Sequence, residues 1–377
     1  MKQKRIINLI AVMLFGQLAI SQSKIALDIV TRSGYEYNVF NANASNMIFN
    51  GDVGERALKS GFFQYMGAGI SWKIKSAHHE VSLNGKLRME YFPKLPVANL
   101  FRPNLKLKYV LKANENHFLT LEGGYSKYRT NRIEDDTELL KPPRAYDRSS
   151  LLAKYNVNLF KGNKIYIQGK LIKTDYITEK SRVFYYQEYL LTMSIDQRLY
   201  NSKRQSHKLG IKANYSDRFY FDSTYEEDLD KEIIKERHWN YFSVSGEYTW
   251  NYKKKFKMTF GMNALERKDI LQDKFGYRQY QPFVKISMKR KKIKLSFKSS
   301  AARRTYHTLE AFSNSGQPLT HEYLRASGAI ELKLSKKVKI TCKASAVKRI
   351  RNFPEGAKSY LSYDNAVVSL GLKFKII

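Results

Sequence analysis

The chain has 377 residues and a mass of 44.0 kDa, with 67 Lys+Arg against 34 Asp+Glu and a formal net charge of +33. Its mean hydropathy of −0.52 excludes a bundle of membrane helices, and its one cysteine, Cys342, excludes an intrachain disulfide or a cysteine-built zinc site. Aromatic residues are 14% of the chain, too many for a disordered basic tail.

Met1 to Ser21 reads as a signal peptide. Lys2, Lys4 and Arg5 precede an apolar run from Ile6 to Ala19, and Ala19-Ile20-Ser21 places small residues where a signal peptidase cuts, before Gln22. The run is about 14 residues, short of the roughly 20 that a helical bilayer span needs. The division expected is therefore residues 1–21 as an export signal and 22–377 as one barrel.

From there the pattern has a period of two. Val81, Leu83, Gly85, Leu87, Met89 and Tyr91 alternate with Ser82, Asn84, Lys86, Arg88 and Glu90. Phe256, Met258, Phe260 and Met262 alternate with Lys257, Thr259 and Asn263, and Val338, Ile340, Cys342 and Ala344 with Lys339, Thr341, Lys343 and Ser345. A helix needs apolar residues at steps of three and four, whereas a strand sends alternate side chains to opposite faces. These are strands with one apolar and one wet face. Many are longer than is usual in soluble sheets, and a tilted transmembrane strand needs about 9–11 residues.

Sixteen such segments are predicted: 24–37, 62–75, 79–92, 103–112, 117–129, 147–160, 164–176, 185–198, 207–220, 238–251, 255–267, 278–289, 292–304, 322–334, 337–349 and 362–376. Fourteen remains an alternative. Connections alternate in length, short at 76–78, 113–116, 161–163, 252–254, 290–291 and 335–336, long at 38–61, 130–146, 221–237 and 305–321. Short periplasmic turns and long outer loops are the habit of bacterial barrels. The fold class expected is all-β, a transmembrane up-and-down antiparallel barrel. Pro93, Pro96, Pro142, Pro143, Pro318 and Pro354 fall in predicted loops and Pro103 at a strand start. Pro282 falls inside the twelfth strand, where it removes a ladder hydrogen bond, so a bulge or a shifted boundary is expected there.

The chain ends Ser369-Leu370-Gly371-Leu372-Lys373-Phe374-Lys375-Ile376-Ile377. Ser369, Gly371, Phe374 and Ile376 resemble the C-terminal recognition signal of bacterial outer-membrane barrels: a polar residue, a glycine, then two apolar residues on the lipid face. Ile377 stands where that signal has its terminal aromatic. The resemblance implies an outer-membrane location and the barrel-assembly machinery as a partner during biogenesis. The Lys- and Tyr-rich composition is similar to that of barrels from the Bacteroidota.

A high pI usually points first to nucleic acid. Here the basic residues are spread along strand faces of an exported chain, and no nucleic-acid partner is expected. The polar parity, which faces the lumen of a barrel, carries Lys86, Arg88, Lys106, Lys108, Lys154, Lys170, Lys212, Lys257, Lys285, Lys294, Lys298, Arg325, Lys333, Lys339, Lys343 and Lys373, against Glu80, Glu90, Glu122, Glu188, Glu247 and Glu331. An open lumen lined in this way favours anions. Basic turns such as Lys289 to Lys292 suit anionic headgroups or an acidic periplasmic partner. The acidic runs Glu134-Asp135-Asp136 and Glu226-Glu227-Asp228 are candidates for cation bridges to lipopolysaccharide, though their spacing is not that of a calcium loop. Trp72, Tyr91, Phe92, Tyr125, Tyr185, Tyr186, Tyr220, Trp239, Tyr248, Trp250 and Tyr280 lie near strand ends, as interfacial girdles do.

No catalytic, metal or cofactor motif is present: GxSxG and HExxH are absent, and Ser243 and Ser245, in the strand that His238 opens, fall on the lumen parity, out of reach of a lipid substrate. A plugged transporter of about 22 strands exceeds the chain. The expected function is a porin-like channel for passive diffusion of small, preferentially anionic solutes. The alternative is a non-transporting barrel that scaffolds an outer-membrane assembly or secretion complex through a protein partner.

Overall fold

The computed structural model describes residues 22–39, 59–130, 145–160, 162–177, 182–226, 231–253, 255–271, 275–311, 315–352 and 362–376. The sixteen strands are β1 (Gln22–Tyr37), β2 (Gly61–Lys75), β3 (His79–Tyr91), β4 (Leu100–Lys112), β5 (His117–Tyr128), β6 (Tyr146–Val157), β7 (Asn163–Tyr176), β8 (Arg182–Asn201), β9 (Gln205–Glu226), β10 (Lys231–Tyr252), β11 (Phe256–Asp269), β12 (Tyr277–Arg290), β13 (Ile293–Glu310), β14 (Pro318–Lys333), β15 (Val338–Arg351) and β16 (Tyr363–Lys375). Each pairs antiparallel with its sequence neighbours, and β1 pairs with β16, from Asp28↔Lys375 to Tyr37↔Ala366, so the sheet closes. Closure satisfies the backbone within the sheet and leaves no edge, the condition for strands to cross a bilayer.

The outer face is apolar. Ile25, Ile29, Phe62, Met66, Ile70, Leu105, Leu107, Leu151, Leu171, Leu191, Met193, Phe260, Met262, Leu370 and Phe374 are all exposed there, as lipid-facing side chains of a transmembrane barrel are. Toward the short-turn end, three tyrosines on this face meet histidine rings: Tyr109 with His79 at 2.8 Å, Tyr155 with His117 at 2.6 Å, and Tyr248 with His207. An amphipathic ring with a tied polar tip suits the water–hydrocarbon boundary.

The structure corrects several expectations. The predicted loop 221–237 is largely strand, because β9 and β10 each run 22 residues and stay paired to Lys231↔Glu226. Phe221, Thr224, Tyr225, Ile233 and Ile234 are strand formers in a polar stretch, and pairing overrides the local polarity. The predicted loop 305–321 shrinks in the same way, so Pro318 opens β14 rather than lying in a loop, and Pro103 sits inside β4, opposite Leu87. Pro282 produces neither a bulge nor a boundary. It pairs with Met262 on the β11 side, while toward β13 the ladder skips Gln281 and Pro282 and resumes in the same register at Phe283↔Ser300. Of the predicted girdle, Trp72, Tyr91, Tyr125 and Tyr280 do face outward, but Phe92, Tyr186, Tyr220 and Trp239 are buried inside the barrel. Met1–Ser21, Glu134-Asp135-Asp136, Glu227 and Asp228 lie outside the described residues.

Candidate functional site

The interior has two zones. Near the long-loop end, inward arginines alternate with aromatic rings around the wall. Arg32 lies 3.7 Å from the Tyr65 ring centre, Arg102 5.5 Å from Tyr128, and Arg148 4.6 Å from Tyr146. Arg218 sits between Tyr186 at 4.8 Å and Tyr241 at 4.9 Å, and Arg267 between Trp239 and Tyr277, both at 4.3 Å. Arg304 lies 4.2 Å from Tyr277 and Arg349 5.4 Å from Tyr323. Each contact is worth about 0.5–2 kcal/mol according to its desolvation, and the planar guanidinium suits it better than an ammonium would.

Polar bonds lock the ring. Arg148 donates to Thr174 Oγ1 (3.0 Å) and to the Tyr186 hydroxyl (2.9 Å). Arg218 donates to Glu188 (2.9 Å) and to the Tyr220 hydroxyl (3.0 Å), and Ser216 donates to Glu188 (2.6 Å). Arg304 Nε donates to Gln279 Oε1 (3.0 Å). Behind them, Phe184, Tyr186, Tyr220 and Trp239 form one buried cluster and Tyr277, Tyr306 and Leu319 another. Arg88, 5.7 Å from Tyr65, and Arg325, 5.1 Å from Tyr323, also belong to this ring, and they are the only arginines of it that the sequence reading named. The signal it missed is Tyr and Arg two residues apart on the inward parity at the long-loop end: Tyr146/Arg148, Arg218/Tyr220, Arg304/Tyr306 and Tyr323/Arg325.

Deeper in, lysines outnumber arginines. A cavity of about 860 Å³ runs along the wall from β10 to β16 and on to β3, lined by Arg32, Arg88, Lys257, Lys285, Lys294, Lys298 and Lys343 against Glu36, Glu90 and Glu247. Arg325 and Lys298 line an adjoining space of about 300 Å³. On the other half of the wall, Lys154 lies over the Tyr166 ring at 3.5 Å, within electrostatic reach of Lys108, Lys164 and Lys212. Lys86 is solvent-exposed on the same parity of β3 as Arg88. Arg198, near the short-turn end, also departs from this division of arginine from lysine.

Some of these charges are paired. Lys106 meets Glu122 at 2.7 Å, Arg88 meets Glu90 at 2.5 Å, Lys285 meets Glu247 at 3.5 Å, Glu331 bridges Lys294 (3.2 Å) and Lys339 (3.7 Å), and Lys373 meets Asp28 at 3.1 Å. Lys108, Lys154, Lys170, Lys212, Lys257, Lys298 and Lys343 have no acid within ion-pair distance among the described residues. Of the four residues of the C-terminal motif, Phe374 and Ile376 face outward, while Ser369 is buried on the inward parity and Gly371 shares that parity.

No family model matches the chain, and no curated protein matches it in sequence. Solved structures do. The outer-membrane channel DcaP of Acinetobacter baumannii is 12% identical at a TM-score of 0.50, covering 95% of this chain and 98% of that one. OccAB3 of the same organism is 11% identical at a TM-score of 0.48, over 94% and 100%. OccD3 of Pseudomonas aeruginosa is 10% identical at 0.48, over 96% and 94%. At such identities the likeness is one of architecture, and the sixteen closed strands give this chain the fold of a bacterial outer-membrane β-barrel.

Proposed function

We propose that this barrel sits in the outer membrane and lets small solutes diffuse passively, with a preference for anions. The observation that carries the reading is the set of inward lysines without acid partners, together with the arginine ring above them. Uncompensated charge in a water-filled cylinder with low-dielectric walls raises the local concentration of anions and repels cations. Arginines arranged in a ring offer two-point hydrogen bonding to carboxylate or phosphate groups, and the lysines below act as point charges. No chemical step is assigned to the barrel.

Outer-membrane lipid, lipopolysaccharide and the barrel-assembly machinery belong to this proposal as its surroundings and its route of insertion. Support for the surroundings comes from the apolar outer face and from the Phe374 and Ile376 side chains on it.

Planar-bilayer recording of the purified barrel under a KCl gradient tests the reading. The expected reversal potential is that of an anion-preferring pore. Replacing Lys86, Arg88, Lys106 and Lys108 together by Gln lowers the Cl⁻ over K⁺ preference. Cation preference in the parent protein overturns the anionic reading. A silent barrel that co-purifies with another protein favours the scaffold function instead.

A further inference from the structure

Arg32 is differently placed from most of its counterparts in the ring. Arg88, Arg148, Arg218 and Arg304 all donate to a side chain. Arg32 stacks on Tyr65 at 3.7 Å, and its Nε is buried without a hydrogen-bond partner. No acid lies within ion-pair distance of it among the described residues, and it opens on the 860 Å³ cavity.

Its neighbours across β16 complete a small recess. Arg32 pairs in register with Gly371, and Lys343 with Ser369 two residues along the same strand. Arg32 and Lys343 both line the same cavity, so two like charges face one space. A β-carbon on Gly371 would stand 2.1 Å from Arg32 Cγ and 2.2 Å from the Thr31 carbonyl oxygen. Only glycine lets the Arg32 stem cross β16 at this point. Ser369, buried and lining the same cavity, is the register partner of Lys343 and adds a hydroxyl to its wall.

We infer that Arg32, Lys343 and Ser369 form a discrete oxyanion site in the wall of the lumen, selective for a doubly charged oxyanion such as inorganic phosphate over chloride. Gly371 is its positioning residue. The inference deepens the channel reading and rests on it for the solute's route. Two adjacent uncompensated charges attract a dianion more than a halide, and a guanidinium edge, an ammonium and a hydroxyl are donors matched to several oxygens at once. The inward half of the C-terminal motif thus carries a second role, since Ser369 and Gly371 face the lumen while Phe374 and Ile376 face lipid.

The test uses the full-length barrel in two assays. Phosphate binding is followed by phosphorus NMR line broadening in detergent, and phosphate block of the chloride current is followed in bilayers. Arg32→Gln and Lys343→Gln each raise the phosphate concentration needed for half-effect about tenfold or more, the loss of one charge-assisted hydrogen bond. Gly371→Ala gives a similar loss with every charge retained, provided heat-dependent gel mobility shows a closed barrel. Lys348→Gln, on the outward parity of the same strand as Lys343, leaves the half-effect unchanged. Equal phosphate binding by the parent and Arg32→Gln overturns the site, as does a parent that binds phosphate no better than chloride. An anion-selective current without Arg32-dependent phosphate binding refutes the site and leaves the channel. A silent bilayer with Arg32-dependent binding does the reverse.

Discussion

At the scale of single residues, the interior of this barrel inverts the usual rule that charge lies outside. Arg218 and Glu188 show how that is tolerated. The carboxylate takes bonds from Arg218 and Ser216, the guanidinium also reaches the Tyr220 hydroxyl, and two tyrosine rings cover its faces. Every polar atom in such a cluster needs its partner, because a buried charge left alone costs more than the pair contributes. Arg218→Met should therefore destabilise the barrel by about 3 kcal/mol, since it strands Glu188. Arg218→Lys should cost less, keeping the charge while losing the fork. The midpoint of denaturant unfolding in lipid vesicles checks both, and equal midpoints for Arg218→Met and the parent would refute the account.

At the scale of strands, glycines divide into those that matter for packing and those that do not. A β-carbon on Gly261 would lie 2.3 Å from the Gly246 carbonyl and 2.8 Å from the Phe283 ring, whereas one on Gly169 meets nothing within 4 Å. Gly261→Ala should cost about 2 kcal/mol through overpacking, and Gly169→Ala should be neutral or stabilising by about 0.5 kcal/mol. Their unfolding midpoints, measured side by side, decide it. The strands themselves were legible because lipid on one face and water on the other impose strict alternation; Lys86 and Arg88 between Leu87 and Met89 announce both faces at once. The lengths of β9 and β10 were not legible, because beyond the membrane nothing enforces alternation and only pairing reveals the strand. The buried aromatics were misplaced for a related reason. Tyr186, Tyr220 and Trp239 have the composition of an interfacial girdle, and only the register shows that they turn inward to Arg148, Arg218 and Arg267. Lys106 and Lys343 were both read as lumen bases, yet one is neutralised by Glu122 and the other is not, a cross-strand fact that no single strand carries.

At the scale of the whole molecule, selectivity is a property of the summed field. Mobile ions screen that field over about 10 Å at 0.1 M salt and about 3 Å at 1 M. The proposed Cl⁻ over K⁺ preference should accordingly shrink between 0.1 M and 1 M KCl, and a preference indifferent to salt would point to steric filtering. The pairing of β1 with β16 has a different consequence. The first and the last strands of the barrel are stitched side by side, so the cylinder has no native substructure complete in itself. Until Tyr363–Lys375 arrives, every intermediate exposes two ragged margins of unpaired amides. Such a chain is adhesive throughout its manufacture, and only the final seam ends that exposure.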